Sequence, residues 1–337
     1  MLRNFAEIVE KKGFIKVEGL CAERFRGTPH ERISLMRTNR IKAEGEGYYH
    51  VISRIVNREY LMDDDEKDFF VGLMRRAETF SAVQVLTFAV LDNHFHILVR
   101  VPEREDVDDD TLLRRYGALY GETRRKALER KWEQLRGGPF EPIVTAEQEA
   151  LKKRMYDVSE FVKTLKMRYT ISYNTRHERT GTLWEERFKS VLVEPYSPAM
   201  RRVATYIDLN AVRAKIVADP SKYRWCGYAE ACRGVPAAVF GIEKLLPPSE
   251  NGRAKTGADA LREYRSRLGG QTPQAETAFP ERVCRFTDGL ALGSEKYIDD
   301  VKIRTGLVYE SPDFVQLPSE KDKICALRRA RRESVKA

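Results

Sequence analysis

Two runs rich in β-formers, VQVLTFAVL at 83–91 and HFHILVRVP at 94–102, are separated only by Asp92 and Asn93. A two-residue loop can join antiparallel strands, whereas parallel strands need a crossover of about a dozen residues or more. The pair therefore predicts a hairpin and a sheet with antiparallel pairing at its centre. Upstream, YYHVISRIV at 48–56 has the composition of a third strand. Between them lies DDEKDFFVGLMRRAETF at 64–80, whose acidic residues lead and basic residues trail. That charge order suits a helix aligned with its own dipole.

Beyond the hairpin, residues 103–156 are highly charged and helix-like, broken by Gly137, Gly138 and Pro139, and read as a helical insertion. A long helix follows through SEFVKTLKMRYTISYNTRH, then a strand in RFKSVLVEP. Ser197 and Pro198 form an N-cap and first-turn pair for a helix expected over about 199–217. The predicted organisation is a basic N-terminal arm at 1–44, with a short helix near Phe5 to Lys12, a domain at 45–232, and an accessory region at 233–337 for DNA binding or structure. The fold class that follows is α+β, a central antiparallel sheet with helices mainly on one face.

No apolar run approaches the roughly 20 residues of a membrane-spanning helix, and the N-terminus has no apolar signal segment, so a cytoplasmic, nucleoid-associated protein is expected. Cys21, Cys226, Cys232, Cys284 and Cys325 are scattered without C-x-x-C spacing, which argues against a disulfide framework or zinc knuckle. The net charge of +9 is concentrated. Residues 161–190 carry seven basic against three acidic residues, and residues 201–224 carry six against two. Such windows fit a polyanionic partner or two solvated helix faces equally well.

His94 and His96 are two apart on a strand, so both imidazoles face one side while Phe95 and Ile97 face the other. Two imidazoles so placed can hold one metal ion, although most H-x-H tripeptides are structural. In the helix RRVATYIDLNAVRAKIV, Tyr206 and Asn210 are four apart, and Arg202 and Arg213 continue their stripe. A helical tyrosine of this kind also fits a half-buried packing role. Asp208 lies about 200° around the helix from Tyr206, which weakens it as a proton acceptor. His50 and Arg54 on the first strand could line the same site or serve the core.

The order of His94-Phe95-His96, LWEERFKSVLVE, YIDLNAVRA and YRWCGYAEA resembles the REP-associated tyrosine transposases, of the HUH single-tyrosine superfamily, over about residues 45–232. FTDGLALGSEKYIDDV at 286–301 is similar to a C-terminal segment in part of that family. The resemblance implies a ferredoxin-like HUH fold, Tyr206 as nucleophile, and His94, His96 and Asn210 as ligands of Mg²⁺ or Mn²⁺. It implies single-stranded or hairpin DNA as partner, with a homodimer in view. Ala211 stands where the family usually has proline, and the 103–156 stretch is longer than in compact members.

Tyr169 and Tyr173 are rival nucleophiles. With Trp184 they also read as surfaces on which bases stack, while Lys163, Lys166, Arg168, Arg176, Arg179, Arg187, Lys189, Arg202 and Arg213 neutralise phosphates. The alternative for the whole chain is a domesticated protein that binds hairpin or single-stranded DNA without cutting it. A third reading is a metal-dependent hydrolase that would tolerate loss of Tyr206.

Overall fold

The computed structural model describes residues 40–247, 255–269, 287, 289–306, 313–316 and 323–328. Residues 1–39 of the arm expected at 1–44, including its short helix, lie outside these. Strand β1 (Gly47–Arg54) is followed by helix α1 (Asp64–Ser81), then by β2 (Gln84–Val90) and β3 (His94–Val101). The hairpin forms with the loop anticipated: Val90 pairs with Phe95, and the Leu91 amide donates to the His94 carbonyl at 2.8 Å. Asp63 caps α1 by accepting from the Glu66 amide at 2.9 Å, ahead of Asp64, Asp65 and Glu66 in the first turn.

The helical insertion is present as α2 (Asp109–Tyr120), α3 (Glu122–Leu135) and α4 (Glu141–Lys152). Trp132 is buried in it as part of the main core, and its indole N–H donates to Glu147 Oε2 at 3.0 Å. After it come α5 (Val158–Arg176), β4 (Lys189–Val193), α6 (Pro198–Asp208) and the one-turn α7 (Asn210–Arg213). The remainder is α8 (Gly227–Cys232), α9 (Pro236–Leu245), α10 (Gly257–Gly269), β5 (Gly289–Gly293), α11 (Glu295–Thr305), β6 (Asp313–Gln316) and β7 (Lys323–Arg328).

The fold is α+β, and the described residues form an open sheet of seven strands in the order β2-β3-β1-β4-β5-β7-β6. Two features differ from expectation. The sheet is mixed, because β4 and β5 run parallel, with Leu192 opposite Ala291. Helices also cover both faces rather than mainly one. Phe95 packs on Phe70 of α1 at 4.9 Å, and Phe70 on Tyr169 of α5 at 5.3 Å. His96, on the opposite side of the same strand, faces Tyr206 of α6 at 5.5 Å. A strand buried on both faces needs two helical layers, and β1 is buried from Gly47 to Ser53.

The region beyond 233 is continuous with this core in place of standing apart: β5 and β7 extend the sheet, and Tyr264 of α10 is buried. The helix α9 lies against β2 because Gly241 has no side chain. A Cβ there would sit 2.2 Å from the Leu86 carbonyl oxygen. Among the described residues, Cys226 and Cys232 are free thiols, and no helix is long and apolar enough to cross a membrane.

Candidate active site

Strand pairing places the first side chains. In the β1–β3 register Arg54 lies opposite His94 and Ile52 opposite His96, so His50, Ile52 and Arg54 share a face with both histidines. On the other side of β1, Ile52 lies opposite Lys189 of β4, adding that lysine to the same face. Onto this face α6 is laid. Its start is the one foreseen: Ser197 accepts from the Met200 amide at 3.1 Å and Pro198 occupies the first turn.

The helix expected to run to about 217 instead breaks at Leu209, at φ −86° and ψ 3°, and ends before Lys215 at φ 60°. Tyr206 therefore lies in the last turn of α6, while Asn210 and Arg213 sit on the separate turn of α7. All three still converge. The Arg213 guanidinium lies 4.4 Å from the Tyr206 ring centroid, and Arg213 and Asn210 both hydrogen-bond the Tyr206 hydroxyl. The Tyr206 ring meets His96 edge-on at 5.5 Å and His50 at 6.2 Å.

Burial pushes the Tyr206 phenol above its ordinary value, and the charges of Arg213 and Arg54, with the two hydrogen bonds, pull it back. Burial also lowers His94 to about 4, helped by Arg54, and holds His96 well below the usual imidazole range, helped by His50 and His94. Both rings are thus neutral near pH 7, the form in which imidazole binds a metal. His94 Nδ1 donates to Asn93 Oδ1 at 2.7 Å, and His96 Nδ1 lies 3.0 Å from His50 Nε2. In each ring, Nε2 is the nitrogen left for a ligand, and the rings are 5.2 Å apart.

Among the described residues, no group of three or more His, Cys, Asp or Glu side chains is placed to hold a metal. A divalent ion here would need the two imidazoles together with the Asn210 carboxamide and water. That donor set fits Mn²⁺ better than Mg²⁺, since imidazole suits the softer ion.

Asp208 points away from this site, as its angle on the helix required. Its fully buried carboxylate accepts from Thr87 Oγ1 at 2.6 Å, Tyr264 Oη at 2.6 Å and the Tyr228 amide at 3.1 Å. Burial raises it to about 6 against these three donors. These three contacts give it a structural role, tying α6 to β2, α8 and α10.

The residues expected along a DNA path divide into two sets. Arg187 and Lys189 line a cleft of about 270 Å³ with Arg54, Arg58, Glu185 and Glu186, beside the His94 edge of the site. Arg213 is in the site, and Arg202 stands one turn before Tyr206 on α6. Lys163, Arg168 and Arg176 on α5, with Arg179 just beyond its end, belong to the other set. There Lys163 pairs with Glu160 at 3.1 Å, Arg176 with Glu66 at 2.7 Å, Arg168 lies over Tyr120 and Arg179 over Tyr173. Lys166 reaches from α5 to the Glu186 carbonyl at 3.0 Å, at the rim of the cleft.

The aromatic residues require a correction. Tyr169 is 0% exposed, and Tyr173 and Trp184 are buried with it, so these rings offer no open face to a base; Tyr206 is buried too, at 8%, and differs in that its ring meets His96 and His50 whereas Tyr169 packs on Phe70 and Trp184. Phe161, Leu165, Tyr169 and Tyr173 recur every four residues, which is a packing stripe. His50, Arg54 and Arg58 emerge as members of the site, and the period-2 pattern of YYHVISR was the signal for the first two.

No protein-family model matches the chain, and no curated protein does. A solved structure of a REP-associated tyrosine transposase bound to a REP hairpin is similar to it, with a TM-score of 0.39 and 14% identity, covering 60% of this chain and 90% of that one.

Proposed function

We propose that this chain is a metal-dependent enzyme that nicks and rejoins single-stranded or hairpin DNA through Tyr206. The observation that carries this reading is the convergence of one phenol, two guanidinium groups and the imidazoles of His94 and His96 on one face of the sheet. A packing tyrosine needs a partner for its hydroxyl, which Asn210 alone would supply, and the charges of Arg213 and Arg54 go beyond that need. A nucleophilic phenol needs those charges, because its anion must be stabilised well below its ordinary pKa near 10.

In the reaction, Tyr206 Oη attacks the scissile phosphorus in line, a new P–O bond forms, and the bond to the 3′ oxygen breaks. The phenol proton is lost to water, and the departing 3′ oxygen takes up a proton to become a hydroxyl. The 5′-phosphotyrosine keeps the bond energy, so another 3′ hydroxyl can attack it and restore Tyr206. Arg213 and Asn210 hold the phenolic oxygen, and Arg54 adds positive charge. A metal bound by His94, His96 and Asn210 would supply charge neutralisation at a nonbridging phosphate oxygen.

The test is to incubate the protein with a labelled single-stranded hairpin oligonucleotide and Mn²⁺, then look for a protein–DNA adduct that survives denaturation. The adduct is expected from the wild type and absent from Tyr206→Phe. Binding without an adduct would make the chain a non-cleaving DNA-binding protein. Cleavage that persists in Tyr206→Phe would make it a hydrolase acting through water.

A further inference from the structure

His50 has no role in the mechanism above, although it is completely buried within the site. The β1–β3 register brings it to the same face as His96, one strand over and diagonally displaced. Its ring lies 5.2 Å from that of His96 at an interplanar angle of 27°, and its Nε2 is 3.0 Å from His96 Nδ1. Both rings are shut away from solvent, at 0% and 1% exposure. At that distance one nitrogen donates to the other, and the tautomers of the two rings decide which.

We propose that His50 is a positioning residue that accepts the Nδ1 proton of His96 and thereby holds His96 in the tautomer whose Nε2 lone pair is open to a divalent metal. The proposal rests on the assignment of His96 as a ligand. An imidazole ligand commonly donates its other ring N–H to a carboxylate, carbonyl or water, which fixes ring orientation and tautomer. His94 has such a partner in Asn93 Oδ1 at 2.7 Å. His96 has no carboxylate in that position, and His50 takes its place. His50 Nε2 lies 3.0 Å from His96 Nδ1, the ring nitrogen on the side away from Nε2, and this contact puts His50 behind His96.

The arrangement has a consequence for His50 itself. If its Nε2 accepts, its own proton sits on Nδ1, and the two neutral rings carry their protons on the same kind of nitrogen. Sequence spacing alone does not reveal this, because His50 and His96 are 46 residues apart and meet only through strand pairing.

Two measurements on the full chain test the proposal. The first uses long-range ¹H–¹⁵N correlation spectra of metal-free protein labelled with ¹⁵N-histidine. His96 should appear with Nδ1 protonated and Nε2 unprotonated, and His50→Phe should abolish that fixed pattern. A wild-type His96 protonated on Nε2 would overturn the proposal whether or not a metal binds.

The second measures Mn²⁺ affinity by the electron paramagnetic resonance signal of the free ion. His50→Phe should weaken binding by roughly 10- to 100-fold, and His50→Gln, whose amide oxygen can accept from Nδ1, should recover most of it. Wild-type affinity in His50→Phe would sink the idea. So would a loss in His50→Gln as large as in His94→Ala, which would make His50 a ligand. Failure of the wild type to bind Mn²⁺ would instead remove the metal reading itself, leaving the tautomer to be decided by the spectra.

Discussion

Arg213 holds its guanidinium 4.4 Å from the ring centroid of Tyr206 and hydrogen-bonds the hydroxyl of the same side chain. The contact depends on the break at Leu209, which sets α7 as a separate turn after α6. A guanidinium over the ring and against the oxygen favours the phenolate over the phenol, and this opposes the cost of burying that anion. Arg213→Ala should therefore slow adduct formation by about 10²-fold, the typical effect of removing one preorganised donor from a developing anion. Arg213→Lys should restore only part, since a point charge cannot stack and donate together. Single-turnover adduct kinetics with a labelled hairpin measure both, and an Arg213→Ala rate equal to wild type would exclude this role.

Helix α6, which carries Tyr206, is held by Asp208, and one of its three donors, Tyr264, lies 56 residues away on α10. Tyr264→Phe removes that donor without changing packing volume. The carboxylate then keeps Thr87 and the Tyr228 amide, and the loss should be about 1.5–3 kcal/mol, as for a hydrogen bond to a charged group. Urea unfolding should show a lower midpoint with an unchanged slope. A midpoint identical to wild type would mean that α10 does not secure α6.

Much of this site was legible in the sequence where local rules apply. The spacing of two residues between the β-runs dictated the hairpin, period 2 put His94 and His96 on one side, and Ser197-Pro198 marked the start of α6. What stayed hidden depends on contacts distant in sequence. Strand β5, GLALG, is five residues with two glycines and no alternation, and only its parallel pairing with β4 makes it part of the sheet. The charge on α5 was visible, but charge does not say which face of a sheet a helix will cover. That choice was made by Tyr169 packing against Phe70 and Trp184.

Asp157 ties the start of α5 to the rest of the fold. Its carboxylate accepts from the Ser159 and Glu160 amides at 2.7 and 3.1 Å and pairs with Lys42 at 2.5 Å. Burial alone would raise its pKa, yet Lys42 and the two amides outweigh it and leave the group below its ordinary value. A carboxylate depressed in the folded state contributes stability above its unfolded pKa and loses it as pH falls through the folded value. Asp157→Ala should cost about 1 kcal/mol at pH 7, as loss of an N-cap does, and the difference from wild type should shrink below pH 4. Thermal unfolding of both proteins across pH checks this, and a difference independent of pH would contradict it.

The two basic surfaces can be separated by salt. The cleft holding Arg187 and Lys189 opens beside His94, whereas Lys163 is paired with Glu160 on α5, whose packing face meets the opposite side of the sheet. Each phosphate neutralised on a single strand contributes about −0.7 to the slope of log affinity against log salt. If the strand entering the site runs through the cleft, Arg187→Ala and Lys189→Ala should each flatten that slope by about 0.7, and Lys163→Ala should leave it unchanged. Fluorescence anisotropy of a labelled single-stranded hairpin, titrated at several salt concentrations, gives all three slopes. Equal flattening by all three would mean that the nucleic acid wraps both faces, and flattening by Lys163→Ala alone would move its path to α5.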